Sequence, residues 1–169
     1  MGKRAGVRSR PIFFLGYDMF IELSATQARL YAVPLIRETM GEEIGNTAEA
    51  EFSNAETECS GLYGHFDDSG LCAVCGIGSE LSRRKVWLGY LAVRKDKRRT
   101  GLGSSGLRFI EELAAKLGYR HILVETYDHP TFAVARRLYE KSGYKPVGEL
   151  ADYMDDGSDA LYYRKTLGV

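Results

Sequence analysis

The sequence has little of what marks membrane and secreted proteins. It contains three cysteines and four prolines in 169 residues, and no apolar run approaches the roughly 18 residues that a membrane-spanning helix needs. A disulfide-stapled secreted domain is normally shorter and carries an even number of cysteines. The basic start of the chain is followed only by a short apolar patch, Ile12–Leu15, unlike a signal peptide. These absences predict a cytoplasmic protein with no membrane partner.

The sequence also lacks an excess of charge of either sign. Lys plus Arg number 23 and Asp plus Glu number 23, so the formal net charge is zero. Nucleic-acid binders usually carry a basic excess, so we expect no nucleic-acid partner. The composition, 44% hydrophobic and 27% charged, is that of an ordinary globular domain. We predict a flexible basic N-terminus over residues 1–10 and a single domain over residues 11–169.

The cysteines include one pair with the spacing of a zinc or redox motif, Cys72-Ala-Val-Cys75. Residues 71–78 read as a strand, however, and residues three apart on a strand point to opposite faces. The third cysteine, Cys59, has no partner at a matching spacing, and the histidines are scattered. Free cysteines are among the most buried residues in proteins. We therefore predict buried core cysteines and no metal site.

The apolar periodicity predicts an α/β domain. Ser24 and Gln27 form a capping box that starts a helix ending near Met40, with Gly41 as its stop. The remaining predicted elements are a strand within residues 11–23, a short helix within 42–56, strands at 58–66, 71–78, 86–93, 121–127, 145–150 and 160–167, and helices at 103–117 and 131–142. Their order is strand, two helices, three strands, helix, strand, helix and two strands.

A basic, glycine-rich loop joins the apolar strand 86–93 to the helix 103–117. It reads Arg94-Lys-Asp-Lys-Arg-Arg-Thr-Gly-Leu-Gly-Ser104. Its glycines permit close approach of a ligand to the backbone, and the unpaired N–H groups of a helix start favour an anion. Lys97, Arg98 and Arg99 add positive charge. The loop therefore predicts a phosphate or pyrophosphate ligand.

The identity of that ligand is open from the loop alone. A Walker loop would require Gly-Lys-Ser or Gly-Lys-Thr, which is missing. Gly101-x-Gly103-x-x-Gly106 has the spacing of a dinucleotide-binding fingerprint, with Glu125 in the following strand. Such fingerprints usually follow their strand after a short turn, whereas a long basic stretch intervenes here. A helix start with a flexible basic loop and no ligand is the third interpretation.

Two separated motifs resemble those of the GNAT superfamily of acyl-CoA-dependent N-acyltransferases. Arg98-Arg-Thr-Gly101-Leu-Gly103 resembles its Arg/Gln-x-x-Gly-x-Gly/Ala motif, and Ala135-Arg-Arg-Leu-Tyr-Glu-Lys-Ser-Gly-Tyr144 resembles its Ala-x-x-Leu-Tyr-x-x-x-Gly-Phe/Tyr helix. The resemblance covers roughly residues 57–167 and looks like a bacterial subgroup of unassigned substrate. It implies an α/β (α+β) fold with a central mixed sheet of about six to seven strands flanked by helices. Many relatives carry asparagine where this chain has Phe132.

The resemblance implies acetyl-CoA as the acyl donor, without a metal. In the family, loop amides bind the pyrophosphate and the preceding strand pairs with the pantetheine arm. Carried over, the cofactor-binding residues are Leu91, Ala92, Val93, Arg98, Arg99, Gly101, Leu102, Gly103 and Ser104. Alternatives are a non-catalytic CoA-binding module and, less favoured, a dinucleotide-binding oxidoreductase.

The same resemblance implies catalytic roles for two residues. Tyr139 corresponds to the general acid that protonates the departing CoA thiolate; the alternative is an ordinary core tyrosine. Glu125, on the same side of its strand as Leu123 and Tyr127, lies where some relatives carry a base for the acceptor amine; the alternative is a surface glutamate. The expected acceptor is a small-molecule or protein amine. An acidic turn at 149–159 would attract a cationic amine; the alternative is a solvated charged turn. The resemblance also allows a homodimer.

Overall fold

The computed structural model describes residues 20–53, 61–78 and 84–168. The predicted basic N-terminus, most of the first predicted strand, Cys59 and the first residues of the predicted hairpin lie outside these ranges. Within them, no helix is long and apolar enough to cross a membrane.

A seven-stranded mixed sheet carries the fold, in the order β1-β2-β3-β4-β5-β7-β6. Only β4 and β5 are parallel; all other neighbours are antiparallel. The strands are β1 (Ile21–Glu22), β2 (Leu62–Asp67), β3 (Gly70–Gly78), β4 (Lys85–Val93), β5 (His121–Tyr127), β6 (Lys145–Leu150) and β7 (Ala160–Thr166). The predicted order of elements and the mixed sheet of six to seven strands are confirmed.

The helices between β1 and β2 begin at the predicted capping box. Ser24 Oγ accepts a hydrogen bond from the Gln27 N–H (3.3 Å), and Gln27 Oε1 accepts one from the Ser24 N–H (3.0 Å). The helices are α1 (Ala25–Gln27), α2 (Val33–Met40) and α3 (Glu42–Ser53), and a π-helical turn, Ala28–Ala32, joins α1 to α2. Gly41, with φ of 104°, ends α2 as predicted. The π-helical turn was not predicted.

The longest helix, α4 (Leu102–Lys116), packs against β3 and β4 and closes one face of the sheet. Its residues Leu107, Ile110, Leu113 and Ala114 are buried against the sheet, whereas Leu117 is 58% exposed because the helix ends one residue earlier. Phe109 is buried as well. That ring packs on Tyr63, with 5.0 Å between ring centroids, and on Phe20, at 5.4 Å.

The helix predicted at 131–142 is a 3-10 turn, Pro130–Phe132, followed by α5 (Ala133–Lys141). Tyr139 is buried, whereas Ala135 and Leu138 are half-buried. The remaining core lies on the other face of the sheet, where α2 and α3 pack against β2, β3 and β4.

Strand β4 is irregular at its centre. Ile77 pairs with Leu88 and Cys75 with Leu91, so two β4 residues, Gly89 and Tyr90, oppose one residue of β3. This bulge bends the strand and leaves Gly89 exposed, so the apolar strand is not covered on both faces at this point.

The two parallel strands share only a short ladder. Pairing between β4 and β5 covers Lys85–Trp87 and His121–Leu123, and the strands then diverge. The opening lies at the end of β4 where the glycine-rich loop begins.

The two cysteines of the C-x-x-C segment are free and buried, as predicted. Burial raises the pKa of both the Cys72 and the Cys75 thiol. Within the described ranges no group of three His, Cys, Asp or Glu side chains could hold a metal ion.

Candidate functional site

The glycine-rich loop offers backbone donors at the start of α4. Gly101 has a left-handed conformation (φ 95°), and so does Arg99 (φ 65°), which is unusual for a residue with a side chain. The first helical hydrogen bond runs from the Ser105 N–H to the Gly101 carbonyl (2.9 Å). The N–H groups of residues 102–104 therefore have no intrahelical acceptor, and among the described residues no side-chain hydrogen bond caps the helix start. Together with the helix dipole, they can bind an anion.

The charges around the loop are distributed differently from the sequence-based expectation. Lys97 Nζ lies 2.5 Å from Asp67 Oδ2, and this contact holds the pKa of the Asp67 carboxyl well below its usual range. The positive charge of Lys97 is therefore balanced within the protein rather than offered to a ligand. Arg98 Nε donates to the Val93 carbonyl (3.3 Å), and the exposed Arg99 follows it.

The base of the loop is held by Arg94, which the sequence analysis did not single out. Its guanidinium forms two hydrogen bonds with Asp96, at 2.7 and 3.0 Å, and one with Ser69 Oγ at 2.6 Å. It also donates to the Leu71 carbonyl at 3.1 Å. Arg94 thus connects the loop to the β2–β3 turn. The Arg-x-Asp spacing directly after the strand is the sequence feature that could have identified this role.

The first turn of α4 packs closely against the end of β4 and against α5. A methyl group placed on Gly103 would lie 3.7 Å from Val93 Cγ2 and 3.6 Å from Leu138 Cδ2, so β4, α4 and α5 meet there. Leu91 is half-buried on the α4 side of β4, whereas Ala92 is buried on the opposite side. The nine predicted cofactor-binding residues thus lie at the end of β4, in the loop and at the start of α4, but the side chains of Ala92 and Leu102 are buried, and that of Ala92 faces away from α4. Their roles stay predictions.

The predicted acid, Tyr139, lies in a group of buried tyrosines. It is 5% exposed, and its ring centroid lies 5.8 Å from that of Tyr144 and 6.3 Å from that of Tyr163. Burial raises the Tyr139 pKa above that of a free tyrosine, so the phenol keeps its proton at neutral pH. Among the described residues none forms a hydrogen bond with its hydroxyl. A proton donor and a packed core residue both fit this environment.

The predicted base, Glu125, is exposed on β5. Its Oε1 accepts a hydrogen bond from the Tyr127 hydroxyl (2.9 Å), which confirms that the two side chains share a face. Tyr162 lies opposite Glu125 on β7, and partial burial together with the Glu125 carboxylate raises the pKa of Tyr162 to about 12. Both tyrosines are therefore protonated beside the carboxylate at neutral pH.

The two candidate catalytic residues lie on opposite sides of the sheet. Val124 belongs to the core that contains Tyr139, and Glu125 points the other way because side chains alternate along a strand. Both residues lie near the point where β4 and β5 have diverged. A group held between these strands could be approached from either side.

The motif helix α5 is tied to the end of β5 by Arg136, a second residue that sequence reasoning missed. Its Nη1 donates to the carbonyls of Tyr127 and His129, the latter at 3.1 Å. Phe132, which stands where relatives carry asparagine, packs edge-on against the Tyr127 ring, with 5.2 Å between centroids. An aromatic contact thus occupies that position.

Two shallow surface grooves lie away from this region. One, of about 410 Å³, runs along β6 and β7 beside Val147 and Tyr163. The other, of about 550 Å³, is lined by Arg84, Arg120 and Thr166 at the far end of α4 from the loop. Neither contains a predicted site residue.

Comparison with known proteins gives a family match. The sequence profile of the "Acetyltransferase (GNAT) family" matches residues 29–144, which include both motifs. An "Uncharacterized N-acetyltransferase YsnE" from Bacillus subtilis is 31% identical over 93 residues, covering 55% of this chain and 62% of that protein. "GCN5-related N-acetyltransferase 6, chloroplastic" from Arabidopsis thaliana is 35% identical over 91 residues, covering 53% of this chain and 31% of that protein. The match thus spans less than two-thirds of each curated relative.

Solved structures share the fold at low sequence identity. Ard1 from Thermoplasma volcanium superposes with a TM-score of 0.77 at 17% identity, over 89% of this chain and 98% of that one. An aminoglycoside 6'-N-acetyltransferase complexed with coenzyme A superposes with a TM-score of 0.67 at 20% identity, over 86% and 91% of the two chains. These likenesses concern the fold.

Proposed function

We propose that this chain, which belongs to the acetyltransferase (GNAT) family, transfers the acetyl group of acetyl-CoA to a primary amine. The observation that carries the proposal is the start of α4, where three backbone N–H groups without intrahelical acceptors lie at the opening between β4 and β5. The family matched by residues 29–144 is one of acetyltransferases, and a protein of the same fold has been crystallised with coenzyme A.

The donor is held mainly through its phosphates. The pyrophosphate accepts hydrogen bonds from the N–H groups of Leu102, Gly103 and Ser104, beside the guanidinium groups of Arg98 and Arg99. The pantetheine arm follows Leu91–Val93, whose neighbour on the β5 side is missing beyond the short parallel ladder. The thioester then lies in the opening between the strands.

The chemistry requires a neutral amine and a protonated leaving group. The nitrogen lone pair attacks the thioester carbon, a C–N bond forms, and the C–S bond breaks as CoA leaves as a thiolate. Glu125 accepts the proton that the acceptor ammonium must lose before attack, directly or through water, and Tyr139 donates a proton to the thiolate. The acylated nitrogen then loses its second proton to solvent, and the Tyr139 phenolate regains a proton from solvent. Positioning of the two substrates supplies much of the remaining rate. The chain itself forms no covalent intermediate.

The proposal is tested by thiol release from acetyl-CoA in the presence of a panel of primary amines, alongside calorimetric titration with CoA. We expect CoA to bind and at least one amine to accelerate thiol release. Binding without turnover on any amine would make the chain a CoA-binding module, and absence of binding would refute the donor site as well.

The catalytic roles are tested by two conservative variants. Tyr139→Phe should lower turnover by about a hundredfold, the usual contribution of a positioned acid, with little change in acetyl-CoA affinity. Tyr144→Phe removes a neighbouring buried hydroxyl and serves as the control, with turnover expected to be unchanged. Undiminished turnover in Tyr139→Phe would show that Tyr139 is a core residue and not the general acid.

The proton acceptor is tested by Glu125→Gln. Its loss of activity should be partly relieved as pH rises, because more of the amine is then already neutral. A pH–rate profile unchanged from the wild type would make Glu125 structural. The nature of the acceptor beyond an amine, the cytoplasmic location and a homodimer stay predictions.

A further inference from the structure

Strand β5 carries a buried hydroxyl that forms no hydrogen bond within the described part of the chain. Thr126 is 3% exposed, and its Oγ1 has no hydrogen-bond partner among the described residues. Buried hydroxyls are normally hydrogen-bonded, and one that stays unpaired destabilises the fold. A single hydroxyl is also a poor site for a buried water, which needs about two to four polar partners. The unpaired hydroxyl therefore points to a ligand atom.

The other two buried polar atoms without a partner in the described part of the chain lie together. They are Glu111 Oε1 and the Tyr144 hydroxyl. Lys165 Nζ lies 2.6 Å from Glu111 Oε2 and 5.6 Å from the centre of the Tyr144 ring, so both residues belong to one cluster between α4 and β7. Lys165 pairs with Ile122 near the start of β5. Thr126 lies four residues further along β5 and is separate from this cluster.

Thr126 lies in the part of β5 that has separated from β4. The parallel ladder between the two strands ends at Leu123, whereas on the opposite edge of β5 Thr126 pairs with Leu161 of β7. The backbone of β5 is therefore held on its β7 side, and its β4 side borders the opening. Because side chains alternate along a strand, the Thr126 hydroxyl lies on the side of Val124 and not on that of Glu125.

Helix α5 covers Thr126 from that side. Arg136 on α5 donates to the carbonyl of Tyr127, the residue after Thr126. One turn further along α5, the Tyr139 ring lies 6.3 Å from that of Tyr163, which pairs with the residue two positions before Thr126. The turn from Arg136 to Tyr139 thus spans the stretch of β5 that contains Thr126. Thr126 and Tyr139 therefore lie on the same side of the sheet, beside the opening.

The level of Thr126 along β5 matches one group of the donor. Because β4 and β5 are parallel, the glycine-rich loop after β4 and the end of β5 lie at the same edge of the sheet. A donor with its pyrophosphate at the start of α4 passes this edge before its sulfur reaches Tyr139. Thr126 is about 7 Å closer to the edge than Val124, which pairs with Tyr163. The group that precedes the sulfur in the pantetheine arm is an amide, two methylenes away.

We propose that the Thr126 hydroxyl forms a hydrogen bond with the pantetheine amide nearest the thioester, on the Tyr139 side of the opening. The proposal rests on the acetyltransferase function proposed above and adds a cofactor-binding residue to it. A hydroxyl can donate to the amide carbonyl or accept from the amide N–H, so the bond requires no charged group. The unpaired hydroxyl destabilises the free protein, and donor binding removes this penalty.

The variant Thr126→Val separates cofactor binding from folding, because it removes the hydroxyl and keeps the branched shape. Without ligand, its Tm should rise by roughly 2–5 °C, since no buried hydroxyl then stays unpaired. Its Kd for CoA should rise about three- to tenfold, the usual contribution of one neutral hydrogen bond. A hydroxyl with a purely structural role would not raise Tm and Kd together on its removal. Thermal unfolding and calorimetric titration measure the two quantities.

Two variants and one fragment of the donor serve as controls. Thr126→Ser keeps the hydroxyl and should bind CoA with nearly wild-type affinity, at a lower Tm because a buried methyl group is lost. Thr166→Val makes the same substitution at the other end of the β5–β7 pair, where the hydroxyl hydrogen-bonds with His121 at 3.2 Å; it should leave CoA affinity unchanged. Adenosine diphosphate, which has the pyrophosphate without the arm, should bind the wild type and Thr126→Val equally.

Three results would overturn the proposal. The first is wild-type CoA affinity in Thr126→Val. The second is a Tm of Thr126→Val below that of the wild type, because the hydroxyl would then have a partner within the protein. The third is an equal loss of affinity for CoA and for adenosine diphosphate, because the effect would then act through the loop and not through the arm.

Failure of the proposed acetyl transfer would give a different result. If the wild type binds CoA but turns over no amine, the transfer reaction is refuted, and the CoA affinity of Thr126→Val still decides the role of Thr126. If the wild type does not bind CoA, the donor site and the role of Thr126 are both overturned.

Discussion

Replacement of Gly103 by alanine separates folding stability from cofactor binding. Gly103 lies in the first turn of α4 without a positive φ, so alanine should stabilise the helix by about 0.5–1 kcal/mol. The added methyl would contact Val93 and Leu138 at 3.7 and 3.6 Å, which is ordinary van der Waals distance. We therefore expect no strain and a rise in Tm of roughly 1–4 °C.

The same methyl group should weaken CoA binding. It lies beside Val93 and Leu138 in the first turn of α4, where the proposed pyrophosphate site requires close approach to the backbone. Loss of even one backbone hydrogen bond to a charged phosphate amounts to about 1.5–3 kcal/mol, or roughly 10- to 150-fold in Kd. Gly103→Ala should thus melt higher and bind CoA more weakly than the wild type, and Gly103→Val should bind more weakly still.

Two other glycines serve as controls. Gly101→Ala meets open space, but its φ of 95° imposes a strain of about 1–2 kcal/mol on alanine, so stability and CoA affinity should fall together. Gly118→Ala, with φ of 84° at the other end of α4, should lower stability alone. The measurements are thermal unfolding without ligand and calorimetric titration with CoA. A Gly103→Ala variant with wild-type CoA affinity would place the cofactor elsewhere.

Three further outcomes are expected. The double variant Lys97→Met, Asp67→Asn removes the whole ion pair and should change CoA affinity by about twofold or less, because a balanced pair exerts little net field. Arg98→Met should weaken CoA binding more and make the affinity depend less on salt concentration. Calorimetric titration at two salt concentrations distinguishes the two variants. The double Cys72→Ser, Cys75→Ser variant should keep CoA binding but lose about 1–3 kcal/mol of stability, measured by urea unfolding, because the hydroxyl introduced at position 75 is buried and lacks the partner that the Gly70 carbonyl offers at position 72; bound zinc lost in this variant would contradict the core assignment. Stability measured by urea unfolding should fall as pH rises above about 10, because unfolded tyrosines ionise there. Burial raises the pKa of Tyr63 to about 12 and also holds the pKa of Tyr139 above its usual value; constant stability to pH 11 would contradict this burial.

Local rules predicted the features that depend on neighbours in sequence. The Ser24–Gln27 capping box and the shared face of Glu125 and Tyr127 follow from fixed spacings, and the structure shows both. The glycine-rich loop predicted a helix start at residue 103, one residue after the observed first residue of α4, Leu102, because glycine and a basic loop are local signals. Apolar periodicity predicted the order of elements, and the resemblance of the family motifs predicted the mixed sheet.

Features that depend on distant parts of the chain were not predictable in this way. The Tyr90 hydroxyl donates to Glu51 Oε2, 39 residues earlier in the chain, and nothing in either segment identifies the other as its partner. The bulge at Gly89 depends on the register of β4 against β3. Lys97 pairs with Asp67, 30 residues earlier in the chain, so its positive charge is not available to the ligand that the basic loop predicted.

The short ladder between β4 and β5 has a consequence for the dynamics of the free protein. Beyond Trp87 the backbone of β4 has no strand neighbour on the β5 side, so its amide hydrogens facing the opening should exchange with solvent through small local openings rather than global unfolding. A pantetheine arm lying there would protect these amides, and its binding energy would add to folding stability by mass action. The protein would then reach its most rigid state only during the catalytic cycle, with the donor serving as a transient structural element of the sheet.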